Sequence, residues 1–363
     1  MRRSQVRSGI RRALAVAAAA GIAALALWIS LKGIDWRVVG RELAGADYRL
    51  VAAAVANSLF AIVVLGWRWR ILLAPRIHPS SGRLFRWNIL AQFANIVMPA
   101  RANELFRAWL TSVEGGTEGG FALGTIAVER VFDFGVFAAA LIAGPAVFGL
   151  GRGVFPTSAG IAFGALSAAS LFVLVGLVAK PAAFLRAAEV FSRVLPSRWR
   201  AKLNAFLGHA ADAFAPLRDV RVAATLALLT VFLLFLQLLT MWIMFRAFGL
   251  DLPFGAALLT AFARSLANIP PAVPGRIGIF EVSVIAALAV YGVPRSEALG
   301  LAIVLHLVAF VPRIVLGAIF MSVEPVPVFS PSGAGKGRGE CPESGPDRSV
   351  TPGEGGFGTG QDS

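Results

Sequence analysis

The stretch that decides the fold class runs from Val222 to Phe245 and reads VAATLALLTVFLLFLQLLTMWIMF, without one charged residue. A helix needs about 20 largely apolar residues to cross roughly 30 Å of hydrocarbon, so this stretch predicts a membrane span. The whole chain has the same character, because 57% of its 363 residues are hydrophobic and only 15% are charged. In a typical soluble domain about 45–50% of the residues are apolar and about 25% are charged. The composition argues against a water-soluble enzyme and predicts an all-α polytopic membrane protein.

Apolar stretches on either side predict six full crossings and two interrupted segments, about six to eight transmembrane helices in all. The first crossing is rich in alanine, like a signal peptide, but its apolar run exceeds the usual core of about 7–15 residues. The interrupted segments, 84–100 and 254–293, are broken by proline, asparagine and charged residues. The full crossings are predicted at residues 13–31, 50–67, 119–150, 157–179, 222–245 and 299–323.

The charge distribution predicts the topology. The net charge of +14 comes from basic residues in short runs beside the apolar stretches, a pattern typical of membrane topology and not of nucleic-acid binding. We expect a basic cytoplasmic N-terminus (1–12), a transmembrane domain (13–323) and, inside that domain, a cytoplasmic amphipathic linker at about 180–221. The tail, 324–363, is low in apolar residues and is expected to be disordered. Both termini are then cytoplasmic, in the inner (cytoplasmic) cell membrane.

The two interrupted segments contain similar sequences. The first reads NIVMPARANE from Asn95 to Glu104, and the second reads NIPPAVPGRIG from Asn268 to Gly278, followed by Glu281. With six crossings they open to opposite faces, as the two halves of an inverted-repeat transporter do. Kinked helices whose arginines reach the interface are the alternative interpretation. The residues expected to set the loop geometry are Pro99, Asn103, Pro274, Gly275 and Gly278.

Charged residues inside apolar stretches are the candidate functional residues, because each costs about 2.5–3.5 kcal/mol at the bilayer centre. Arg130 and Asp133 are spaced to pair on one helix, and Glu129 shares a face with Asp133. These charges form either a structural ion pair or the wall of a polar cavity. In such a cavity arginines would bind phosphate oxygens, and carboxylates would orient them or receive an amine. The candidate headgroup-binding residues are Arg101, Glu104, Arg107, Glu129, Arg130, Asp133, Arg276, Glu281 and Arg313.

Other chemistries find little support in the sequence. No spacing of histidines and carboxylates is typical of a metal site, and the Walker A pattern of nucleotide-binding loops is absent. His306 faces either the helix bundle or lipid, and His78 and His209 lie in predicted loops. The single cysteine, Cys341, excludes a disulfide within one chain. We therefore expect no metal and no cofactor.

Four motifs in order resemble a known family, the lysylphosphatidylglycerol synthase transmembrane region, also called flippase-like membrane proteins. The resemblance covers about residues 10–323. The first interrupted segment of that family commonly reads Pro-Gly-Arg-x-Gly-Glu, and Ala100 and Asn103 replace the two glycines here. The motifs are GWRWR (Gly66–Arg70), PARANELFR (Pro99–Arg107), VERVFD (Val128–Asp133) and PGRIGIFE (Pro274–Glu281).

The resemblance implies that the protein moves or handles lipids. We expect a lipid transporter of the flippase type that accepts a phosphate-bearing headgroup, with anionic or polyprenyl-phosphate lipids as its partners. The alternative is a non-catalytic accessory that holds a lipid-modifying or glycosyl-transferring enzyme at the membrane. An intramembrane enzyme using Glu129 and Asp133 is a weaker possibility, because no nucleophile or metal accompanies them. The tail is too short for the aminoacyl-transferase domain of the full synthases, so we do not expect an enzyme.

Overall fold

The structure, a computed structural model, describes residues 33–97, 102–147, 208, 212–267 and 276–323. Within these ranges the chain is helical with short connections, which confirms the all-α prediction. The predicted N-terminus 1–12, the predicted crossings 13–31 and 157–179, most of the linker and the tail 324–363 lie outside the described residues.

The described helices comprise long apolar spans and shorter helices between them. Their bounds are α1 (Trp36–Gly45), α2 (Tyr48–Leu73), α3 (Ser81–Val97), α4 (Ala102–Gly115), α5 (Gly119–Val147), α6 (Val220–Ala247), α7 (Phe254–Ala267), α8 (Ile279–Ala289) and α9 (Arg295–Val323).

Three of these helices, α2, α6 and α9, are long and apolar enough to cross a membrane by length and composition. They confirm the crossings predicted at 50–67, 222–245 and 299–323. Helix α5 has 29 residues and carries Glu129, Arg130 and Asp133 near its middle. Side chains such as Leu228 and Ile142 point outward from the bundle, as expected for helices that face lipid.

Helices α2 and α6 are antiparallel, and their contacts define the two ends of the bundle. The backbone N–H of Asp47, before α2, donates to the carbonyl of Ala247, at the end of α6, over 2.8 Å. We call this the Asp47 end. At the opposite end Arg76, just after α2, forms an ion pair of 2.8 Å with Asp212 and one of 3.7 Å with Glu118. We call this the Arg76 end.

Aspartates begin several of these helices. The carboxylate of Asp47 accepts the N–H groups of Arg49 and Leu50, and Asp219 accepts that of Arg221 at the start of α6. An N-terminal cap of this kind satisfies donors that the first helical turn leaves open and stabilises a helix by about 1 kcal/mol.

Helices α3 and α4 form a hairpin whose open end lies at the Arg76 end. The carboxylate of Glu114, late in α4, accepts hydrogen bonds from Arg86 (2.6 Å) and from the indole of Trp87 (2.7 Å), early in α3. The two helices have 17 and 14 residues, about 26 and about 21 Å, and are too short to cross roughly 30 Å of hydrocarbon. We call α3 and α4 hairpin 1. Its first helix, α3, covers most of the predicted interrupted segment 84–100, and α4 extends the hairpin beyond that prediction.

Helices α7 and α8 form hairpin 2, which enters the bundle from the opposite end. Helix α7 follows Ala247 after a short connection, and α8 leads to α9, whose first turn contacts Asp35 through Ser296. Both connections lie at the Asp47 end. Near the far end of the hairpin the guanidinium of Arg264 lies 4.9 Å from the ring centroid of Phe280. The two hairpins thus point toward each other from opposite ends, as the inverted-repeat prediction requires.

Helix α9 packs closely along hairpin 1. The rings of Phe85 and Phe320 meet edge to face, with centroids 6.2 Å apart. At Gly317 the two backbones approach so closely that an added Cβ would lie 2.6 Å from the Cβ of Phe93. Small residues permit such contacts between membrane helices, where packing replaces the hydrophobic effect as the driving force.

Replacement of this glycine tests the contact. We expect Gly317→Ala to lower the free energy of unfolding by about 1–3 kcal/mol, because the new methyl group forces α9 and α3 apart. Thermal unfolding of the purified protein in detergent measures the change. Gly135→Ala in α5 is the matched control, since an added Cβ there meets nothing within 4 Å. Equal melting temperatures for Gly317→Ala and the wild type would contradict the close contact.

Candidate functional site

A buried ion-pair network joins α2, α4 and α5. At its centre Glu129 is 1% exposed, and one of its oxygens lies 2.7 Å from the guanidinium of Arg107. Its other oxygen lies 3.6 Å from Nε of Arg68, whose Nη1 is 2.5 Å from the carboxylate of Asp133. Two arginines that are each 2% exposed are therefore neutralised by carboxylates from a neighbouring helix.

Aromatic and hydroxyl groups complete the surroundings of these two arginines. The guanidinium of Arg107 stacks on the ring of Trp69, 3.9 Å from its centroid, and the indole N–H donates to Thr125 Oγ1 over 3.1 Å. Arg68 donates to Thr230 Oγ1 of α6, also over 3.1 Å. Stacking on tryptophan stabilises a desolvated cation. Cation–π and hydrogen-bond contacts therefore stabilise the network in addition to its ion pairs.

The edge of the network is more open. Arg130 lies 3.1 Å from Glu104 and 3.5 Å from Asp133, and all three side chains are between one third and one half exposed. The second distance confirms the predicted pairing of Arg130 with Asp133. Three arginines face three carboxylates in this network, which agrees with the ion-pair interpretation that the sequence left open. Its members are Arg68, Glu104, Arg107, Glu129, Arg130 and Asp133.

A second cluster, on hairpin 2 and α9, has the opposite character. Arg264, Arg276 and Arg313 lie close enough for the other two charges to act on Arg264. We call these three residues the cationic cluster. Arg313 donates to Gln92 Oε1 (2.6 Å), to Ser58 Oγ (3.0 Å) and to the carbonyl of Ala309. Those acceptors are neutral, so hydrogen bonds satisfy Arg313 while its charge stays uncompensated.

Arg264 has fewer polar contacts still. Its guanidinium meets the sulfur of Met241 at 3.8 Å and the face of Phe280. Its Nε is buried and has no hydrogen-bond partner among the described residues. Neither Arg264 nor Arg313 lies within ion-pair distance of a carboxylate in that part of the chain. Both cations are thus available to an anion that the described residues do not supply.

The turn before α8 holds Arg276 in an unusual backbone conformation. Its φ is +55°, the left-handed region that side chains with a Cβ rarely adopt, and Gly278 follows with φ +87°. The N–H of Gly278 is tied to Glu281 Oε2 over 2.6 Å, and the other oxygen of Glu281 lies 2.6 Å from Nδ1 of His306. Gly278 thus has a backbone conformation that favours glycine, and Glu281 links this turn to α9.

Replacing Arg276 by glycine separates backbone strain from side-chain function. We expect Arg276→Gly to raise the free energy of unfolding by about 1 kcal/mol, since a left-handed residue with a Cβ costs about 1–2 kcal/mol. Arg276→Ala keeps the strain and gives no such gain. Chemical or thermal unfolding of the two variants in the same detergent measures the difference. Equal stability of the glycine and alanine variants would contradict the assignment of strain to this position.

The structure places most of the predicted residues in one of the two clusters. Glu104, Arg107, Glu129, Arg130 and Asp133 belong to the ion-pair network, while Arg276, Glu281 and Arg313 lie in or beside the cationic cluster. Asn103 lies within α4, and Arg276 is the described non-glycine residue with positive φ, so Asn103 does not reproduce a left-handed glycine. The predicted residues Pro99, Arg101, Pro274 and Gly275 lie outside the described residues.

Sequence reasoning missed three residues. The predicted second crossing ends at residue 67, but α2 continues to Leu73 and carries Arg68 into the interior. Arg264 belongs to the charged residues that interrupt the second segment, and its place on an apolar helix is the signal that could have identified it. The sequence leaves His306 open between the bundle and lipid, and its contact with Glu281 places it inside the bundle. The described ranges contain no group of three His, Cys, Asp or Glu residues that could hold a metal ion.

The chain has relatives among known proteins. It is similar to the UPF0104 membrane protein of Methanothermobacter thermautotrophicus, with 26% identity over 327 residues, 84% of this chain and 93% of that protein. It is also 26% identical over 346 residues to Glycosyltransferase AglD of Haloferax volcanii, matching 86% of this chain but 55% of AglD. The chain thus spans about half the length of AglD, and no solved structure matches it. Because the model of the lysylphosphatidylglycerol synthase TM region matches residues 13–317, the chain belongs to that family.

Proposed function

We propose that this multi-pass membrane protein binds the phosphate-bearing headgroup of an anionic lipid at the cationic cluster and moves the lipid between leaflets. The observation that carries the proposal is the pair Arg264 and Arg313, which lie in the bundle without a compensating carboxylate among the described residues. Arginine presents a planar fork of donors that matches phosphate oxygens.

The cost of intramembrane charge supports this function. An arginine within hydrocarbon is expensive, and such residues usually mark a substrate path or pair with a carboxylate. The arginines of the ion-pair network satisfy the second condition, since Glu129 and Asp133 neutralise them. Arg264 and Arg313 do not satisfy it. A bound anion is the simplest group that would stabilise them.

The opposed hairpins supply a second argument. Short helices that enter from both ends place charged side chains such as Arg264 inside the bundle, where they are tolerated only beside protein or a wet cavity. Broken helices at the midplane are where transporters of this kind bind substrate. We further propose that the Arg76 end, with Arg70, Arg83 and Arg86, faces the cytoplasm of the inner membrane, as basic loops do.

Lipid exchange in vesicles tests the proposal. Purified protein in liposomes should accelerate the transbilayer exchange of phosphatidylglycerol labelled on its acyl chain, and quenching of the outer leaflet measures the rate. We expect Arg264→Gln and Arg313→Gln each to slow exchange at least tenfold. Arg246→Gln is the matched control, because that arginine is about half exposed and pairs with Asp251 at the Asp47 end. Absence of exchange by the wild type with any anionic lipid would overturn the proposal.

A second function is favoured by one observation. The chain matches only 55% of AglD, a longer protein whose name states a glycosyl transfer. A membrane region of this family can therefore be part of a larger glycosyltransferase, and the present chain could hold a separate enzyme at the membrane. If vesicles show no exchange while co-expression of this chain raises the activity of a membrane glycosyltransferase, the accessory function is supported in place of transport.

A further inference from the structure

The charge count around hairpin 2 carries information about the ligand. Arg264 and Arg313 make only neutral contacts, with no carboxylate within ion-pair distance among the described residues. The carboxylate of Glu281, in the adjoining α8, is already engaged on both oxygens, by His306 and by the N–H of Gly278. Arg264 and Arg313 therefore carry two positive charges that no carboxylate in the described part of the chain compensates.

Those two charges raise each other's energy. Two cations that act on each other inside a helix bundle repel more strongly than in bulk water, because protein screens charge less than water does. The neutral partners of Arg313 and the sulfur and ring beside Arg264 do not offset this repulsion. One negative charge would neutralise one arginine and leave the other without a counter-charge inside the bundle. Two negative charges on one compact group would neutralise both.

A terminal phosphate is such a group. A phosphate monoester carries about −1.5 to −2 charges at pH 7 and offers three acceptor oxygens, whereas a phosphodiester such as that of phosphatidylglycerol carries one charge. Nε of Arg264 is buried and lacks a partner among the described residues, and it would donate to one of these oxygens. The guanidinium of Arg313 would share the same phosphate without giving up its bond to Gln92.

We infer that the cationic cluster selects a terminal phosphate with two negative charges, a lipid phosphomonoester, over a phosphodiester headgroup. This inference rests on the proposed function for its site and adds the charge class of the substrate. No covalent step is involved, because selection here is a difference between two binding free energies. The second charge of the ligand is the recognition element.

Two soluble lipids that differ by one methyl group test the inference. Dihexanoyl phosphatidic acid is a dianion, and its methyl ester, dihexanoyl phosphatidylmethanol, has the same chains and one charge. Binding of each to the purified detergent-solubilised protein is measured by thermal shift and by direct titration at pH 8. We expect phosphatidic acid to bind at least tenfold more tightly than its methyl ester. Inorganic phosphate, added at the same concentration as phosphatidic acid, should not displace the bound lipid if the acyl chains are part of the ligand.

Variants assign the selectivity to the cluster. Arg264→Gln and, separately, Arg313→Gln should reduce the ratio between the two lipids to near one, while Arg246→Gln should keep it. Equal binding of the two lipids by the wild type would overturn the inference and leave the proposed transport of anionic lipids standing. If inorganic phosphate displaces phosphatidic acid at equal concentration, the recognised phosphate is not that of a lipid, and this part of the inference is wrong. If neither lipid binds and vesicle exchange is also absent, the proposed function itself fails.

Discussion

Glu129→Gln is expected to lower the free energy of unfolding by about 3–5 kcal/mol, the cost of breaking a buried ion pair from one side. Glutamine has the same shape but no charge, so Arg68 and Arg107 would both lose their shared counter-charge. Arg107 has no alternative acceptor among the described residues, since its Nε and Nη2 are already buried without hydrogen-bond partners. Thermal unfolding and the folded fraction after size-exclusion chromatography measure the loss.

Two controls isolate the charge effect. Glu104→Gln removes a carboxylate that is one third exposed, and we expect a change below about 1 kcal/mol, as for other ion pairs near water. The double variant Arg107→Met with Glu129→Gln removes one charge of each sign and should recover part of the stability. If Glu129→Gln alone melts at the temperature of the wild type, the network does not hold the helices as described.

Arg264→Glu is expected to have the opposite effect on stability and to abolish lipid exchange. A carboxylate at this position would neutralise Arg313 from inside the cluster and remove the repulsion between the charges at positions 264 and 313. We expect the melting temperature to rise by about 2–4 °C for each kcal/mol gained. Exchange of labelled phosphatidylglycerol should fall at least a hundredfold, because the internal carboxylate takes the place of the headgroup.

The combination of results is what distinguishes a binding site from a structural one. A residue that only holds the fold loses stability when its charge is reversed, whereas a substrate-binding residue often gains stability as activity is lost. Glu129→Arg, the corresponding reversal in the ion-pair network, should destabilise the protein severely. A fall in the melting temperature of Arg264→Glu to a comparable level would show that Arg264 is structural.

The sequence predicted the long spans well, and for a simple physical reason. Residues 222–245 have no charge, and a stretch of that length has one stable conformation in hydrocarbon, a helix. The two interrupted segments were also predictable, since prolines and charges cannot continue an apolar span. The structure adds that the first belongs to a hairpin in which Glu114 of α4 accepts hydrogen bonds from Arg86 and Trp87 of α3. These residues lie 27 and 28 positions apart, so no local sequence pattern predicts their contact.

The candidate site was predicted in outline but not in its charge balance. The two interrupted segments have similar sequences, and from sequence alone they appear equivalent. Their partners differ, because Arg107 of hairpin 1 pairs with Glu129 of α5, whereas Arg264 of hairpin 2 meets the sulfur of Met241 and the ring of Phe280. Such partners lie far away along the chain, so local patterns could not show that one half is neutralised and the other is cationic.

The contacts of hairpin 1 with α9 have a consequence for biosynthesis. Gln92 and Arg313 are separated by 221 residues, and Phe93 and Gly317 meet across a similar distance. The ribosome therefore completes hairpin 1 long before it makes the helix against which that hairpin packs. Until α9 leaves the translocon, Gln92 lacks Arg313, its hydrogen-bond partner among the described residues. Chains truncated before residue 295 should accordingly expose hairpin 1 to the quality-control proteases of the membrane, however intact their first half is.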